Sequence, residues 1–358
     1  MNILDRYIIK TVISSTLLFL LIILSLYSFI VLADNFKYIG KGNFDMLDAF
    51  TYAALTLPRR LYQLFPFSVL LGAMMGLGTL NSNNELVAIR SAGVSIGRII
   101  FAVMKAAFLL AVFMFLLGEY VLPMSEEIAE RHWSAKIHGS SNNTSNSVSD
   151  DAIWVRDKNN YTKIQAVTAD KTLRNITIFT FSDDNSLKVS TQADSAYYDG
   201  DDWILNDIKQ TFIREDKVIL NTIDKARWPT LLDLELVDVI ISKLEYLSVE
   251  GLYRYSTYLD ANNLDSRKYW LIFWDKIMQP FSIAAMLLLA VPFVFSSART
   301  SNAGSRLMVG VLIGVSFTIA NKISAQFGLV YELSPLLSAS FVTISATIGA
   351  IFFIRRMA

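Results

Sequence analysis

Six apolar stretches, at roughly 11–33, 51–80, 99–122, 270–296, 307–328 and 336–354, limit what this chain can fold into more than any other feature. A helix needs about 20 mostly apolar residues to cross a bilayer, and a spanning segment must satisfy its own backbone hydrogen bonds. Each stretch is therefore read as a membrane-spanning helix. The second is too long for one upright span and contains Pro58 and Pro66. It is predicted as a single kinked or tilted helix whose freed backbone groups are satisfied by its neighbours. The first follows Arg6 and Lys10 and ends in Val31-Leu32-Ala33, the outline of a signal peptide. Its apolar run exceeds the usual length of roughly 7–15 residues and further spans follow, so it is expected to stay in place. Composition agrees: 53% of residues are hydrophobic, only 18% are charged, and the mean hydropathy is +0.41. An ordinary soluble enzyme is excluded. With no cysteine, so are disulfides, thiolate catalysis and Cys-based zinc sites.

The charges divide along the chain. Lys+Arg and Asp+Glu both total 32, yet residues 140–265 hold 21 acids and 13 bases, which leaves 11 acids and 19 bases elsewhere. A basic, hydrophobic part thus carries an acidic insert. Threading six spans puts Arg6 and Lys10, Arg90 and Arg98, Arg299 and Arg306, and Arg355 and Arg356 on one side. Basic residues near span ends mark the cytoplasmic face, so both termini are expected inside and the insert outside. Lys37, Lys41, Arg59, Arg60, Arg267 and Lys268 break that rule at the outer ends.

The insert reads as β. Ile153-Trp154-Val155, Tyr161-Thr162-Lys163-Ile164, Ile176-Thr177-Ile178-Phe179-Thr180-Phe181 and Lys217-Val218-Ile219-Leu220 are rich in β-branched and aromatic residues. Turn clusters at 157–160, 182–185 and 199–202 separate them. A β-sandwich or jelly roll without helices is predicted, entered through a flexible Ser/Asn-rich segment at 139–150. The expected architecture is an α-helical polytopic membrane protein with three helices in 1–123, a β domain and linkers in 124–265, and three helices in 266–358.

No catalytic set is present. Gly40-Lys41 lacks the rest of a phosphate loop, His132 and His138 would not share a helix face, and neither HExxH nor G-x-S-x-G occurs. The pairs Glu126-Glu127 and Asp183-Asp184 read as solvated. Energy for any uphill task must come from another protein. More specific is the loop between spans two and three. Ser82-Asn83-Asn84-Glu85 fits a capping box, with Ser82 as N-cap, and Leu86-Val87-Ala88-Ile89-Arg90 continues as a short helix that Gly93 stops. That helix either docks in a groove on a partner or merely links two spans. The outer cations Lys37, Lys41, Arg59 and Arg60 either snorkel or recognise an anionic ligand, for which the two arginines offer forked donors. Lys322, with Asn321 and Gln326, either snorkels or lines a cavity, and Phe317 faces either lipid or an acyl-chain cavity. Gly72-x-x-x-Gly76 and Gly310-x-x-x-Gly314 are expected to pack helices within the chain.

Leu4-Asp5-Arg6-Tyr7-Ile8, Phe65-Pro66, the run from Leu71 to Leu80 and the run from Asn84 to Gly93 together resemble the lipopolysaccharide-export permeases, the LptF/LptG (YjgP/YjgQ) family. Lys276-Ile277-Met278-Gln279-Pro280 and the terminal Arg355-Arg356 resemble its LptG branch. The resemblance implies a permease subunit of an ABC transporter that extracts lipopolysaccharide from the inner membrane and passes it to a periplasmic bridge toward the outer membrane. It implies an LptF-like partner subunit, an LptB-like ATPase dimer that binds ATP and Mg, and LptC-like and LptA-like periplasmic proteins. No cofactor is expected on this chain itself. The segment at about 82–93 becomes a coupling helix, with Asn84, Glu85, Leu86, Ile89, Arg90 and Gly93 meeting the ATPase. Lys37 and Arg59 match basic positions that meet lipid A phosphates. Val31, Glu130 and Trp133 stand where the family carries basic residues. The resemblance further implies that ATP-driven closure pulls the coupling helix, so that spans one and five move and the cavity collapses. Two other readings stand beside this one: an ABC permease that transmits force without carrying lipid, and a membrane sensor or scaffold.

Overall fold

The computed structural model describes residues 3–357, apart from 138–152, 169–170, 183, 185, 201, 215–216, 231–235, 238–246 and 297–302. The predicted loop at 139–150, His138, Asp183 and Arg299 lie outside the described residues. Two compact units result, one from residues 1–137 with 267–358, the other from 138–266. The boundary expected at 123 falls inside a helix that continues to Ile137.

The first unit holds α1 (Ile3–Phe36), α2 (Met46–Leu55), α3 (Leu57–Ser82), α4 (Glu85–Ser91), α5 (Ile96–Leu116) and α6 (Leu122–Ile137), then α8 (Arg267–Ser296), α9 (Ala303–Val330) and α10 (Pro335–Met357). Among the described residues six helical segments are long and apolar enough to span a bilayer, as expected. The second apolar stretch departs from expectation, because it is two helices rather than one. Asp45 and Asp48 form a reciprocal capping box that starts α2, and Thr56 ends it. Pro58 lies in the first turn of α3, where a missing N–H costs nothing. Pro66 lies inside α3, and the carbonyl it leaves without an intrahelical donor, that of Tyr62, accepts a hydrogen bond from Gln279 Nε2 of α8 at 3.3 Å. A neighbouring helix thus supplies the missing donor, as the sequence requires. Span three runs on through a π turn at Leu117–Val121 into α6. The turn ends two residues before Pro123, which cannot bond back to the carbonyl of Glu119.

Close approach sets the bundle's core. A Cβ on Gly72 would sit 2.4 Å from the Thr16 backbone, and one on Gly310 would sit 2.7 Å from Leu71, so α1 and α9 both press on α3. Both glycine pairs therefore pack helices within the chain. Phe65, Val69, Met74, Leu77, Ala106, Met114, Leu287 and Val291 fill the space between them.

The second unit is a six-stranded antiparallel sheet in sequential order: β1 (Ile153–Asp157), β2 (Asn160–Val167), β3 (Leu173–Phe181), β4 (Leu187–Tyr198), β5 (Trp203–Arg214) and β6 (Lys217–Trp228). Register places Ile164, Ile176, Ala193 and Ile208 side by side across β2 to β5, all buried. One face of the alternation thus becomes a core ladder. The insert was expected to hold no helix, but α7 (Val249–Ala261) is one. Ser248 caps it by accepting from the Gly251 amide, and Leu252, Ser256 and Leu259 form its buried stripe. Tyr258 Oη donates to the Arg156 carbonyl at 2.6 Å and fastens the helix to β1. Burial, with the nearby Asp157 carboxylate, raises that phenol to about 12.

Candidate functional site

At the end of the bundle that carries both termini, α3 turns sharply into α4. The expected capping box is absent, because α3 runs through Ser82, whose hydroxyl donates to the Thr79 carbonyl. Asn84 makes the corner with φ 61° and no side-chain cap. The Glu85 carboxylate is therefore free for other partners. It accepts from Tyr7 Oη of α1 at 2.6 Å and from Asn83 Nδ2 at 3.4 Å. Leu86 is buried in the bundle, and Ile89 packs beside it. The other end is a complete Schellman motif: Val94 N–H donates to Ile89 O and Gly93 N–H to Arg90 O, with Gly93 at φ 89°. The predicted glycine stop is present. A seven-residue helix is thus clamped on one side, and it exposes Val87, which is 54% accessible, with Ala88, Arg90 and Ser91 on the other.

Three further contacts join helices at this end. Lys105 Nζ of α5 lies 2.7 Å from Asp5 Oδ2 of α1, and Asn81 Nδ2 of α3 donates to the Val294 carbonyl of α8 at 2.9 Å. Arg306 of α9 is buried and donates to the Gly78 carbonyl of α3. Glu85 thus ties α4 to α1, and Arg306 ties α9 to α3.

The opposite end bears the cations singled out from sequence, and the structure separates them. Lys37 and Lys41 are exposed; Lys37 pairs with Asp34 at 3.5 Å, and both ammonium groups lie over the Tyr38 ring. Arg59 faces inward, its Nε 3.3 Å from Glu126 Oε1, with side chains 11% and 2% exposed. Glu126, expected to be solvated, is instead a buried counter-ion; Glu127 does face solvent and pairs with Arg131. Arg60 stacks on Tyr27, its guanidinium carbon 5.1 Å from the ring centroid. Phe317, at 8% exposed, sits in the helix core. Lys322 is exposed on α9, five residues further on.

Sequence reasoning missed a corner beside this set. Asp48 of α2 is buried, with His132 Nε2 and Lys136 Nζ of α6 each 3.1 Å from its Oδ1. The Asp45 amide that donates to it and the Lys136 ammonium together hold the Asp48 carboxyl below its usual value, against the effect of burial. Trp133 packs edge-on to Tyr38 and Phe44 and against Tyr52, sealing the corner. Aromatic residues spaced along 38–52 were the available signal.

Both ends belong to one framework, and that framework is matched as a whole. The family model described as lipopolysaccharide export system permease LptF/LptG matches residues 6–356. The chain belongs to that family. Among curated relatives, it is 33% identical to the lipopolysaccharide export system permease protein LptG of Haemophilus influenzae over 340 residues, 94% of each chain. It is 31% identical to the protein of that name from Escherichia coli strain K12 over 352 residues, 96% of this chain and 97% of that one. A member of the LptF/LptG family is a transport subunit and not an enzyme. Six apolar helices in such a permease indicate an inner-membrane protein.

Proposed function

We propose that this chain is the LptG-like permease subunit of an ABC transporter that extracts lipopolysaccharide from the inner membrane and passes it to a periplasmic bridge toward the outer membrane. The family match from residue 6 to residue 356 carries this reading, because it takes in the spans, α4 and the inserted sheet together. In it an LptF-like chain completes the permease, an LptB-like ATPase dimer binds ATP and Mg, and LptC-like and LptA-like proteins receive the lipid. The termini lie in the cytoplasm and the sheet in the periplasm. Arg6, Lys10, Arg90, Arg98, Arg306, Arg355 and Arg356 at one end support that orientation.

The segment that holds Asn84, Glu85, Leu86, Ile89, Arg90 and Gly93 forms the contact with the ATPase. Leu86 and Gly93 fix the helix, and the exposed side with Val87 and Arg90 meets the partner. Lys37 and Lys41, with Lys322 farther along α9, receive the lipid phosphates. Arg59 and Arg60 hold the outer ends of the helices in place through Glu126 and Tyr27. ATP-driven closure displaces α4, and α1 and α9 shift through Glu85 and Arg306. Large exposed side chains on α1 (Leu21, Leu26, Phe29) and α9 (Met308, Leu312, Phe327) offer the lipid a greasy wall. Such a wall is required, since each acyl CH₂ left in water costs about 0.8 kcal/mol.

Co-expression with a cognate ATPase and measurement of ATP turnover tests the assignment. The expected result is a stable complex whose turnover falls at least about tenfold, with assembly retained, when Val87→Asp puts a charge on the contact face; tenfold corresponds to about 1.4 kcal/mol. A chain that never co-purifies with an ATPase would be a sensor or scaffold instead.

A further inference from the structure

We propose that a groove between α1 and α5 binds an anionic phospholipid of the leaflet at the termini-bearing end, with an acyl chain in the groove and the phosphate on Arg98 and Lys105. The groove measures about 410 Å³ and is lined by Ile9, Phe101, Met104, Lys105, Phe108 and Leu109. That volume falls within the range of ligand sites, roughly 300–1,000 Å³. Its walls are hydrocarbon apart from Lys105, and it opens sideways on a membrane-spanning surface where acyl chains are the solvent. Phe101 and Phe108 project from α5 at 62% and 68% exposure.

What makes this more than a lipid-facing crevice is its charge. Arg98, Phe101, Lys105 and Phe108 stand at i, i+3, i+7 and i+10 on one face of α5, so cations and rings alternate along it. Lys105 Nζ lies 4.6 Å from the Phe101 ring centroid and 2.7 Å from Asp5 Oδ2. Asp5 neutralises that one ammonium. Arg98 is exposed near the start of α5, and Arg6 is exposed on α1 one turn from Ile9. Three cations against one carboxylate leave an uncompensated positive field at the mouth of an apolar slot. A phosphodiester headgroup joined to an acyl chain complements both parts, and basic pockets between membrane helices take such headgroups. Lys105 lies nine residues into α5, about 13 Å along the helix, so its stem can bring the charge back toward the headgroup level. The site lies away from the cations assigned to lipopolysaccharide, and it stands or falls independently of the export reading.

Native mass spectrometry of the full-length chain, after addition of equal amounts of phosphatidylglycerol and phosphatidylcholine, tests the site. The unsubstituted chain should retain phosphatidylglycerol at least about fivefold over phosphatidylcholine, and Arg98→Gln should reduce that retention about fivefold, as expected for one cation near a headgroup. Met104→Trp, which fills the groove and leaves the cations in place, should reduce phosphatidylglycerol retention as well. Leu18→Ala, on another exposed part of α1, should leave it unchanged. Equal retention of the two lipids by the unsubstituted chain overturns the proposal. So does a Met104→Trp chain that retains phosphatidylglycerol fully, because the anion would then adhere to surface cations alone.

Discussion

Tyr7 and Glu85 are 78 residues apart and share one hydrogen bond at 2.6 Å, and in that bond the first membrane helix meets the short helix assigned to the ATPase. The donor is neutral and the acceptor ionised, a class of bond roughly twice as strong as one between neutral groups. Tyr7→Phe removes the bond and leaves the carboxylate. If Glu85 acts both as a strut and as a partner contact, Tyr7→Phe should lower ATP-coupled transport about two- to fivefold, and Glu85→Ala should lower it further. Equal effects would reduce Glu85 to a strut. Asp48 gives a test by pH. Its carboxyl is depressed in the folded protein, so its contribution to stability is present above the unfolded value of about 3.9 and is lost as pH falls through the lower folded value. Thermal melts from pH 7 to 3 should therefore show Asp48→Asn less stable than the natural chain near neutrality, with the difference shrinking below about pH 4. A constant difference would mean that the pairing of Asp48 with Lys136 contributes nothing as charge.

At the level of elements, the apolar runs and their prolines were legible because composition alone decides what can cross a membrane. The break between α2 and α3 was not, because Thr56 and Pro58 lie inside an apolar run that reads through. The false capping box at Ser82 has a related cause. The spacing to Glu85 was right, but a pattern of four residues cannot tell that α3 continues through Ser82 and that the corner falls at Asn84. The helix α7 hid behind tyrosine, threonine and valine, which favour strands until tertiary packing decides otherwise. Pairings such as Arg59 with Glu126 join residues 67 apart and become visible only once the helices are in place. Two substitutions test the packing. Gly72→Val should destabilise the bundle by about 1–3 kcal/mol through overpacking against Thr16, and thermal unfolding in detergent reads that loss. Gln279→Leu leaves the Tyr62 carbonyl without its donor and should cost a similar amount, about 1–3 kcal/mol. An unchanged melting temperature in the second variant would mean that the Pro66 site needs no outside partner.

For the molecule as a whole, the arrangement is a helical unit with a clamped helix at one end, exposed lysines at the other, and an inserted sheet. The exposed faces of α1 and α9 carry many large apolar side chains, while α3 is largely buried and packs against both. That division leaves α1 and α9, rather than α3, with wide faces open to neighbours. On the proposed reading lipopolysaccharide travels along this chain. Photo-crosslinking in cells tests it, with one photoreactive residue in place of Lys37 and another in place of Leu26 on the exposed face of α1. Adducts recognised by anti-lipopolysaccharide antibody are expected at both positions, in amounts that depend on ATP turnover by the partner. Absence of adducts at both positions, in a complex that still assembles and hydrolyses ATP, would contradict it and leave a permease that transmits force without carrying the lipid.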